Sequence, residues 1–317
     1  MAVKKVILAK PRGFCAGVEM AIETVERALD KHGAPLYVFH EIVHNQHVVA
    51  DFQKRGVVFV NSIADVPPCS NVVFSAHGVS PVIWRQAREN QLQWLIDATC
   101  PLVAKVHREV RKYVALGYWI ILVGHRNHDE IVGTSGEAPE RTLVVGDVTE
   151  AKNVEVPDPE KVVVLTQTTL SVDDTREVIE VLKQRFPKMV TPAKEDICYA
   201  TQNRQDAVKQ LIGAVELLLV IGSANSENSN QLVKVGRSNG KPAHLISDHR
   251  AIDPGWLDGI ARVGITSGAS VPEHLVREAV EFFKRQGAEV EQLGSIEENI
   301  HFPLPSEIAP AKSIQGS

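Results

Sequence analysis

Three widely separated cysteines share one local pattern in this chain of 317 residues. Cys15, Cys100 and Cys198 each follow an apolar run, stand at a polar junction and precede a stretch with helical periodicity. A thiol at a helix N-terminus meets unpaired N–H groups and the positive end of the helix dipole, and both favour the thiolate. Three thiolates that converge from distant parts of a chain make a soft metal site, and such ligands hold iron–sulfur clusters.

The alternative for any one free cysteine is a small, buried and unreactive side chain. Three matching strand-to-helix junctions weaken that alternative. Zinc is disfavoured because the chain has no C-x₂-C pair, and the local C-x₂-C-x₂-C run of ferredoxins is absent too. Three protein thiolates on a four-iron cluster would leave one iron open to act as a Lewis acid on a substrate oxygen. Cys69 lies in a turn-like Pro-Pro-Cys-Ser segment and is interpreted as incidental.

Three histidines follow strand-like runs, at loop positions where parallel sheets bind ligands. They are His44 in HEIVHN, His77 in SAHG and His128 in GHRNHDE. A single histidine is more often structural than functional, but the shared loop position favours a binding role. A protonated imidazole is a good donor to phosphate, so these residues are candidates for an anion site.

Two loops rich in small polar residues are further candidates for anion binding. Residues 222–230 (GSANSENSN) contain seven polar residues, more than the one or two that an ordinary N-cap and turn require. Hydroxyls, amides and backbone N–H groups in such a loop can cradle an anion, and residues 267–270 (SGAS) offer a smaller version. Neither G-x-x-x-x-G-K-[ST] nor G-x-G-x-x-G occurs, so the loops predict a small phosphate or diphosphate rather than a nucleotide.

Glu130 lies in the same histidine-rich loop as His128 and is a candidate proton donor, together with Thr168 and Thr169. The alternative is a solvated surface charge, which is the usual state of an acidic side chain.

Composition is that of an ordinary globular protein, with 44% hydrophobic and 23% charged residues. The net charge of −5 offers no basic field to nucleic acid or to an anionic membrane. The first apolar run has only four residues (6–9), too short for a signal peptide, and no stretch approaches the ~20 apolar residues of a membrane span. Four cysteines do not suggest a disulfide scaffold, so we expect a cytoplasmic protein.

Short β-branched runs alternate with helical patterns along most of the chain. Continuous apolar runs are typical of buried parallel strands, so the fold class is predicted to be α/β with parallel sheets. Strands are predicted at 4–9, 35–39, 57–60, 71–75, 94–97, 118–123, 142–145, 161–165, 216–221, 243–246 and 261–265. Helices are predicted at 17–31, 80–90, 102–115, 172–186, 200–213, 229–238 and 271–286.

A weak internal repeat divides the chain into thirds, each with a cysteine junction and a strand that ends in a small polar loop. We predict one lobe at 1–99 with Cys15, His44 and His77, and a second at 100–196 with Cys100, His128, Glu130 and Thr168. The third, at 197–286, contains Cys198, Ser226, Asn228 and Ser270. Residues 287–317 are predicted to form a C-terminal tail whose Ile300–Pro305 segment is extended and packs on the body.

Nine of these motifs occur together and in order in one known family. They are PRGFCAGV, HEIVHN, SAHGVS, DATCPLV, GH…H-x-E-x-x-GT, TQTTLSVDDT, DICYAT-x-NRQ, N-S-x-N-S-N and SGAS. The chain therefore resembles the 4-hydroxy-3-methylbut-2-enyl diphosphate reductases, the IspH/LytB family, from about Ile7 to near residue 302.

The resemblance implies a cloverleaf of three similar parallel-sheet α/β lobes around a central [4Fe-4S] cluster. It implies a reductive dehydroxylation that yields isopentenyl and dimethylallyl diphosphate, the last step of the methylerythritol phosphate route. The three cysteines match the cluster ligands, and the iron without a protein ligand takes the hydroxyl oxygen of the substrate. The diphosphate-binding positions match His44, His77, Ser226, Asn228 and Ser270, and His128 lines the same pocket. Glu130 matches the proton donor, and Thr168 orients the hydroxyl and relays the proton.

Electrons are expected from a partner such as a ferredoxin or flavodoxin, because the chain has no nicotinamide or flavin motif. Two other interpretations stay open: a hydro-lyase with an open-iron cluster, which needs no external electrons, and an iron–sulfur sensor. One residue departs from the expected pattern. Glu227 stands in the anion loop where serine is expected, and its carboxylate would repel a diphosphate unless it points to solvent or meets a cation.

Overall fold

The computed structural model describes residues 3–192 and 194–309. Twelve strands in this part of the chain form three sheets, and every pairing is parallel. Sheet A contains β1 (Lys5–Ala9), β9 (Leu217–Ile221), β10 (Ala243–Ile246), β11 (Arg262–Ser267) and β12 (Glu289–Leu293). Sheet B contains β2 (Leu36–Phe39), β3 (Val57–Val60), β4 (Asn71–Phe74) and β5 (Trp94–Asp97). Sheet C contains β6 (Trp119–Val123), β7 (Thr142–Val145) and β8 (Val162–Thr166).

Ten α-helices cover the sheets in the described residues. They are α1 (Ala16–His32), α2 (Gln46–Lys54), α3 (Pro81–Glu89), α4 (Pro101–Ala115), α5 (Asp129–Ser135), α6 (Val148–Asn153), α7 (Val172–Arg185), α8 (Tyr199–Ile212), α9 (Glu227–Ser238) and α10 (Glu273–Lys284). Strand β8, at one end of sheet C, and strand β9, inside sheet A, are buried at every position, because helices cover both faces of a parallel sheet. No helix between residues 3 and 309 is both long enough and apolar enough to cross a membrane.

The predicted fold class, three parallel-sheet α/β lobes, is confirmed, and the predicted strands and helices agree with the structure to within two residues at each end. Four elements were not predicted: α2, α5, α6 and β12. The three helices are short and begin in polar loops, where side chains of Asn45, His128 and Asp147 cap them. β12 (EVEQL) is an exposed edge strand whose alternating charges mask its strand character.

The chain crosses from one sheet to the next at three helices that begin just after a cysteine. Val25 of α1 packs in the core of sheet B, Val110 of α4 in the core of sheet C, and Val208 of α8 in the core of sheet A. The residues that cap these three helices are Cys15, Cys100 and Cys198. Each cysteine therefore stands where the chain leaves one lobe and enters the next, which accounts for their even spacing in the sequence.

Sheet A differs from the predicted division of the chain at both ends. Its strand order is β10-β9-β11-β1-β12, so β1 lies between β11 and β12. The first strand therefore belongs with the third lobe rather than with residues 16–99. Residues 289–293, predicted as part of a tail, form a strand of the same sheet. Pairing across the whole chain length has no local signal, so the sequence pattern could not assign these two strands to a sheet.

The segment after β12 packs on the body, as predicted, and joins two lobes. Leu304 and Ile308 pack in the core that α1 shares with sheet B. Lys31 of α1 donates to the carbonyl of Glu307 at 2.6 Å. Nearer to β12, the Glu298 carboxylate accepts from both Asn203 and Arg204 of α8. Residues 310–317 of the predicted tail lie outside the described residues.

Arg204 is fully buried and holds three segments together. Its Nη1 donates to Glu298 at 3.1 Å, and its Nη2 donates at 2.7 Å to the carbonyl of Gly13, two residues before Cys15. A guanidinium without water is stable only when such partners surround it.

We expect Arg204→Met to lower the free energy of unfolding by about 3 kcal/mol, because it strands a largely buried carboxylate and two carbonyls. The matched control is Arg27→Met, which breaks an exposed pair with Glu23 on α1 and should cost about 0.3–0.5 kcal/mol. Urea denaturation measures both. Equal midpoints for the two variants would contradict the assigned role of Arg204.

Candidate active site

The three cysteines are held in the same way by one loop from each sheet. Each is the N-cap of its helix, and each backbone N–H donates to a carbonyl in the loop that follows a neighbouring strand. The bonds join Cys15 to Ala269 at 3.2 Å, Cys100 to Ala76 at 3.0 Å and Cys198 to Thr168 at 3.0 Å. These loops are the SGAS, SAHG and TQTT segments of the internal repeat. The three copies of the repeat therefore correspond to the three loops that surround the thiols.

The thiols line one cavity, and burial makes the ionisation of Cys100 and Cys198 unfavourable without a cation. Burial, with a smaller contribution from Cys15, raises the pKa of Cys100 to about 12. Burial and Cys15 likewise raise the pKa of Cys198 to about 11, although the N–H and hydroxyl of Thr201 work against the rise. At neutral pH both groups are thiols in the metal-free protein. A positively charged centre between them would convert them to thiolates.

The separation of the sulfurs does not match a single tetrahedral ion. A tetrahedral ion with metal–sulfur bonds of about 2.3 Å needs its sulfurs about 3.8 Å apart. In the described part of the chain, the three sulfurs are not all within 4.8 Å of one another. Gly17 of α1 lets the elements approach closely, since a Cβ there would lie 2.5 Å from the Cys100 sulfur.

The histidines form a second group in the same cavity. His44 and His77 stack with ring centroids 4.0 Å apart, and His128 meets His44 edge-on at 5.2 Å. Burial and the charges of neighbouring histidines lower the pKa of His128 to about 4 and that of His77 well below its usual range. His128 Nδ1 accepts from the backbone N–H of Glu130 at 3.1 Å, so its hydrogen is on Nε2. These two rings are therefore neutral N–H donors when no anion is present.

His44, His77 and Asp129 also have ligand atoms within 4.8 Å of one another, a spacing that could suit a metal ion. The stacking argues against that use. Two imidazoles inclined by only 20° direct their lone pairs nearly in parallel rather than toward one point. Asp129 instead lies 3.5 Å from His40 Nδ1 and 3.8 Å from His44 Nε2, so it joins α5 of the sheet C lobe to the sheet B lobe.

Glu130 is buried in the first turn of α5 and is paired with Thr168. The backbone N–H of Thr168 donates to Oε1 at 2.6 Å, and its hydroxyl donates to Oε2 at 3.0 Å. Burial raises the pKa of Glu130 to about 7, even though both hydrogen bonds favour the carboxylate. Desolvation thus outweighs hydrogen bonding, and the group can hold or release a proton near neutral pH.

The polar residues of α9 and the SGAS loop complete the cavity and connect it to a thiol. Ser226 caps α9 and accepts from Ser229. Asn228 accepts from the N–H of Ala269 at 2.9 Å and donates to Thr201, whose hydroxyl is 3.2 Å from the Cys198 sulfur. Ser270 donates to the carbonyl of His44 at 2.9 Å and so joins the sheet A lobe to the sheet B lobe.

Glu227, which stands where serine was expected, is hydrogen-bonded to a histidine that can carry a positive charge. Its carboxylate accepts from His125 Nε2 at 3.1 Å and from Gln231. Burial works to raise the pKa of Glu227, but the hydrogen bonds from His125 and Gln231 outweigh it and the pKa is lowered. The bond to Glu227 is the main cause of a raised pKa for His125. The pair links two lobes and offsets the carboxylate charge beside the cavity.

All of the predicted site residues line this one cavity. Sequence reasoning missed Tyr199, Thr201 and Phe302, which also line the cavity. Tyr199 and Thr201 lie next to Cys198 in a quoted motif, and that proximity was the available signal. Cys69 is exposed and lies outside the cavity.

Comparisons with known proteins agree with one another. The family model described as LytB protein matches residues 6–284. The 4-hydroxy-3-methylbut-2-enyl diphosphate reductase of Mycolicibacterium paratuberculosis is 53% identical over 98% of this chain and 93% of its own length. That of Acidothermus cellulolyticus is 50% identical over 96% of this chain and 90% of its own.

Two solved structures match the fold. The E-1-hydroxy-2-methyl-but-2-enyl-4-diphosphate reductase from Plasmodium falciparum is 37% identical with a TM-score of 0.90, covering 96% of this chain and 97% of that one. An (E)-4-hydroxy-3-methyl-but-2-enyl diphosphate reductase, described as the terminal enzyme of the non-mevalonate pathway, is 29% identical with a TM-score of 0.61 over 89% of this chain and 100% of that one. The family model matches most of the chain, and relatives share about half of their residues with it. This chain therefore belongs to the LytB family.

Proposed function

We propose that this protein is a 4-hydroxy-3-methylbut-2-enyl diphosphate reductase that removes the allylic hydroxyl and forms isopentenyl and dimethylallyl diphosphate. The observation that carries the proposal is one cavity in which three thiols, a buried acid with a pKa of about 7 and a set of anion donors converge. Membership of the LytB family and the names of its relatives support the same reaction.

The sulfurs of Cys15, Cys100 and Cys198 would hold a [4Fe-4S] cluster with one open iron. The donor set fits, because thiolates are the usual ligands of such clusters and the three thiols line one cavity. When bound, the cluster supplies electrons one at a time and an iron that acts as a Lewis acid toward the hydroxyl of the substrate.

The diphosphate would bind at the histidines and the α9 loop. His77 and His128 are neutral N–H donors, and the hydroxyls and amides of Ser226, Asn228 and Ser270 add neutral donors around them. His44 has both ring nitrogens near carboxylates, Glu41 at 3.2 Å and Asp129 at 3.8 Å, which orients the ring. An arriving anion would favour the protonated forms of His77 and His128.

The five-carbon chain of the substrate would lie against apolar side chains between the anion site and the thiols. The apolar residues that line the cavity are Val18, Val43, Ala76, Leu102, Val103 and Phe302. They exclude water, which strengthens every polar contact inside the cavity.

Glu130 would give a proton to the departing hydroxyl, which leaves as water. Hydroxide is a poor leaving group, so protonation during bond cleavage lowers the barrier. Thr168 holds the carboxyl from two directions and its hydroxyl can pass the proton to the substrate oxygen.

Electrons would come from a ferredoxin or flavodoxin, and the reducing cytoplasm is the proposed location because it keeps the thiols free. A hydro-lyase would need no electrons, and a sensor would need no turnover. Both alternatives are separated from the proposal by the first experiment below.

We expect the anaerobically reconstituted protein to bind four irons and four sulfides and to convert the allylic diphosphate only when a reductant is present. In Cys100→Ser both cluster content and turnover should be lost, because a hydroxyl replaces one of three thiolates. Cys69→Ser, at an exposed site outside the cavity, is the control and should keep both. Iron and sulfide quantitation with product analysis measures the result. Turnover without reductant would indicate the hydro-lyase, and substrate binding or cluster formation without turnover would indicate the sensor.

We expect Glu130→Gln to keep substrate affinity but lose about 10²–10⁴-fold in kcat, the usual contribution of a general acid. Glutamine keeps the size of the side chain and an oxygen for the Thr168 N–H, so the pocket should be preserved. The control is Glu109→Gln on α4, whose burial also raises its pKa to about 7 but which lies outside the cavity. Calorimetric titration and steady-state rates separate binding from turnover. A Glu130→Gln variant with near-normal kcat would remove this residue from the reaction.

We expect kcat/KM to fall as pH rises through about 7, by about tenfold per unit, because the proton that Glu130 donates is then lost. Because the pKa of Glu130 is raised to about 7, nearly all of the enzyme carries the protonated, active form of this residue at pH values well below 7. The descending limb should persist in Glu109→Gln and disappear from the residual activity of Glu130→Gln. Identical profiles in all three proteins would assign the limb to another group.

A further inference from the structure

His107 is a buried histidine to which the proposed reaction assigns no role, and it joins two elements that carry site residues. It lies on α4, roughly two turns after Cys100, and only 5% of its surface is exposed. It is not among the residues that line the cavity. One ring nitrogen is bonded to Glu137, just after α5, and the other packs on Gly78 of the SAHG loop. A single side chain therefore contacts both elements.

The first contact is a hydrogen bond to the segment that follows α5. His107 Nδ1 lies 2.8 Å from Glu137 Oε1, and Arg111 donates to the same oxygen at 2.7 Å. Burial works to raise the pKa of Glu137, but these two hydrogen bonds outweigh it and the pKa is lowered. A carboxylate can only accept, so Nδ1 carries the hydrogen. The backbone N–H of Glu137 donates to the carbonyl of Thr134 at 3.2 Å, which ties this anchor to α5.

The second contact is a close approach between the other edge of the ring and the backbone of Gly78. A Cβ at Gly78 would lie 2.9 Å from His107 Nε2 and 3.2 Å from Cγ2 of Thr99, so no larger residue fits there. The φ of +77° at Gly78 also favours glycine. Nε2 is buried without a hydrogen-bond partner in residues 3–192 and 194–309, so this contact is one of packing. The ring thus fixes the residue that directly follows His77.

The backbone of Gly78 also packs directly on α5. A Cβ at Gly133 would lie 2.8 Å from the carbonyl oxygen of Gly78. Gly133 lies about one turn after Glu130 on the same helix. The SAHG loop is therefore in contact with His107 and with α5, and His107 is bonded to the segment after α5. Movement of the ring would change the position of His77 relative to Glu130.

We infer that His107 is a positioning residue that holds His77, on the anion side of the cavity, and Glu130, the acid, at a fixed separation. The inference rests on the proposed function, since that function gives these two residues their roles. The substrate extends from its diphosphate to its hydroxyl, so the separation decides whether a bound molecule presents the hydroxyl to Glu130. A misplacement of about 1 Å can cost roughly 10²-fold in rate.

The test uses two variants that each remove one of the two contacts. His107→Asn places an amide donor where Nδ1 stands and keeps the bond to Glu137, but it removes the ring edge at Gly78. His107→Phe keeps a ring beside Gly78 but offers no donor to Glu137. The control for lost stability is Leu182→Ala, which leaves a cavity in a core cluster built from elements other than α4 and α5.

Three measurements are made on each anaerobically reconstituted protein: circular dichroism, calorimetric titration with inorganic diphosphate, and steady-state rates with the allylic diphosphate. We expect His107→Asn to weaken diphosphate binding and raise KM about three- to tenfold, as for one weakened hydrogen bond, because His77 loses its support. We expect His107→Phe to lower kcat about 10- to 100-fold with diphosphate affinity nearly unchanged, because the helix that carries Glu130 loses its anchor. Leu182→Ala should keep all of these values per folded molecule.

A loss of affinity or kcat per folded molecule in either His107 variant supports the inference. Losses that only follow the folded fraction, as in Leu182→Ala, assign His107 a purely structural role and overturn the inference while the proposed function stands. Failure of both His107 variants to fold, when Leu182→Ala folds, has the same meaning. If the unchanged protein does not convert the allylic diphosphate when a reductant is present, the proposed function itself is refuted, and the inference with it.

Discussion

Convergence of three half-buried thiols from distant parts of the chain is the constraint on which the rest of this structure depends. Burial raises the pKa of Cys100 to about 12 and that of Cys198 to about 11, so both stay neutral thiols unless a positive charge lies between them. The chain satisfies the constraint by using each thiol as the N-cap of a helix that leaves one sheet and packs on the next. One loop carbonyl from each sheet then fixes the backbone of each cysteine. The three lobes and the proposed metal site are therefore consequences of the same three crossings.

A similar balance governs the anion side of the cavity. Burial, with the neighbouring histidines as the smaller cause, keeps His77 and His128 neutral, so an anion in the cavity would meet N–H and O–H donors rather than fixed positive charge. Nearby carboxylates would oppose an anion, but each is engaged by a partner from another lobe: Asp129 by His40 and His44, and Glu227 by His125. The charges beside the cavity thus hold the lobes together. Desolvation also keeps Glu130 neutral, but here the neutral form carries the proton. The buried carboxyl therefore retains a proton that a solvated carboxyl would lose.

Much of this arrangement could be predicted from the sequence, because buried parallel strands are continuous apolar runs and the site residues lie in loops that directly follow them. The short helices α2 and α5 escaped detection, since nine and seven residues are too few for a clear periodic signal, although α5 contains Glu130 and α2 begins two residues after His44. The membership of β1 and β12 in sheet A could not be inferred, because it depends on pairing between the two ends of the chain.

The position of β1 between β11 and β12 has a consequence for biosynthesis. The strand that leads into Cys15 is among the first to leave the ribosome, but both of its neighbours are among the last. At about 5–20 residues per second, the nascent polypeptide waits on the order of 15–60 s before that sheet can close. The first thiol is tethered to an unfinished lobe throughout this interval, whereas sheets B and C can assemble around the second. Any inorganic centre held by the three thiols could therefore form only after β11 and β12 have been synthesised, and the first thiol would have to stay reduced until then.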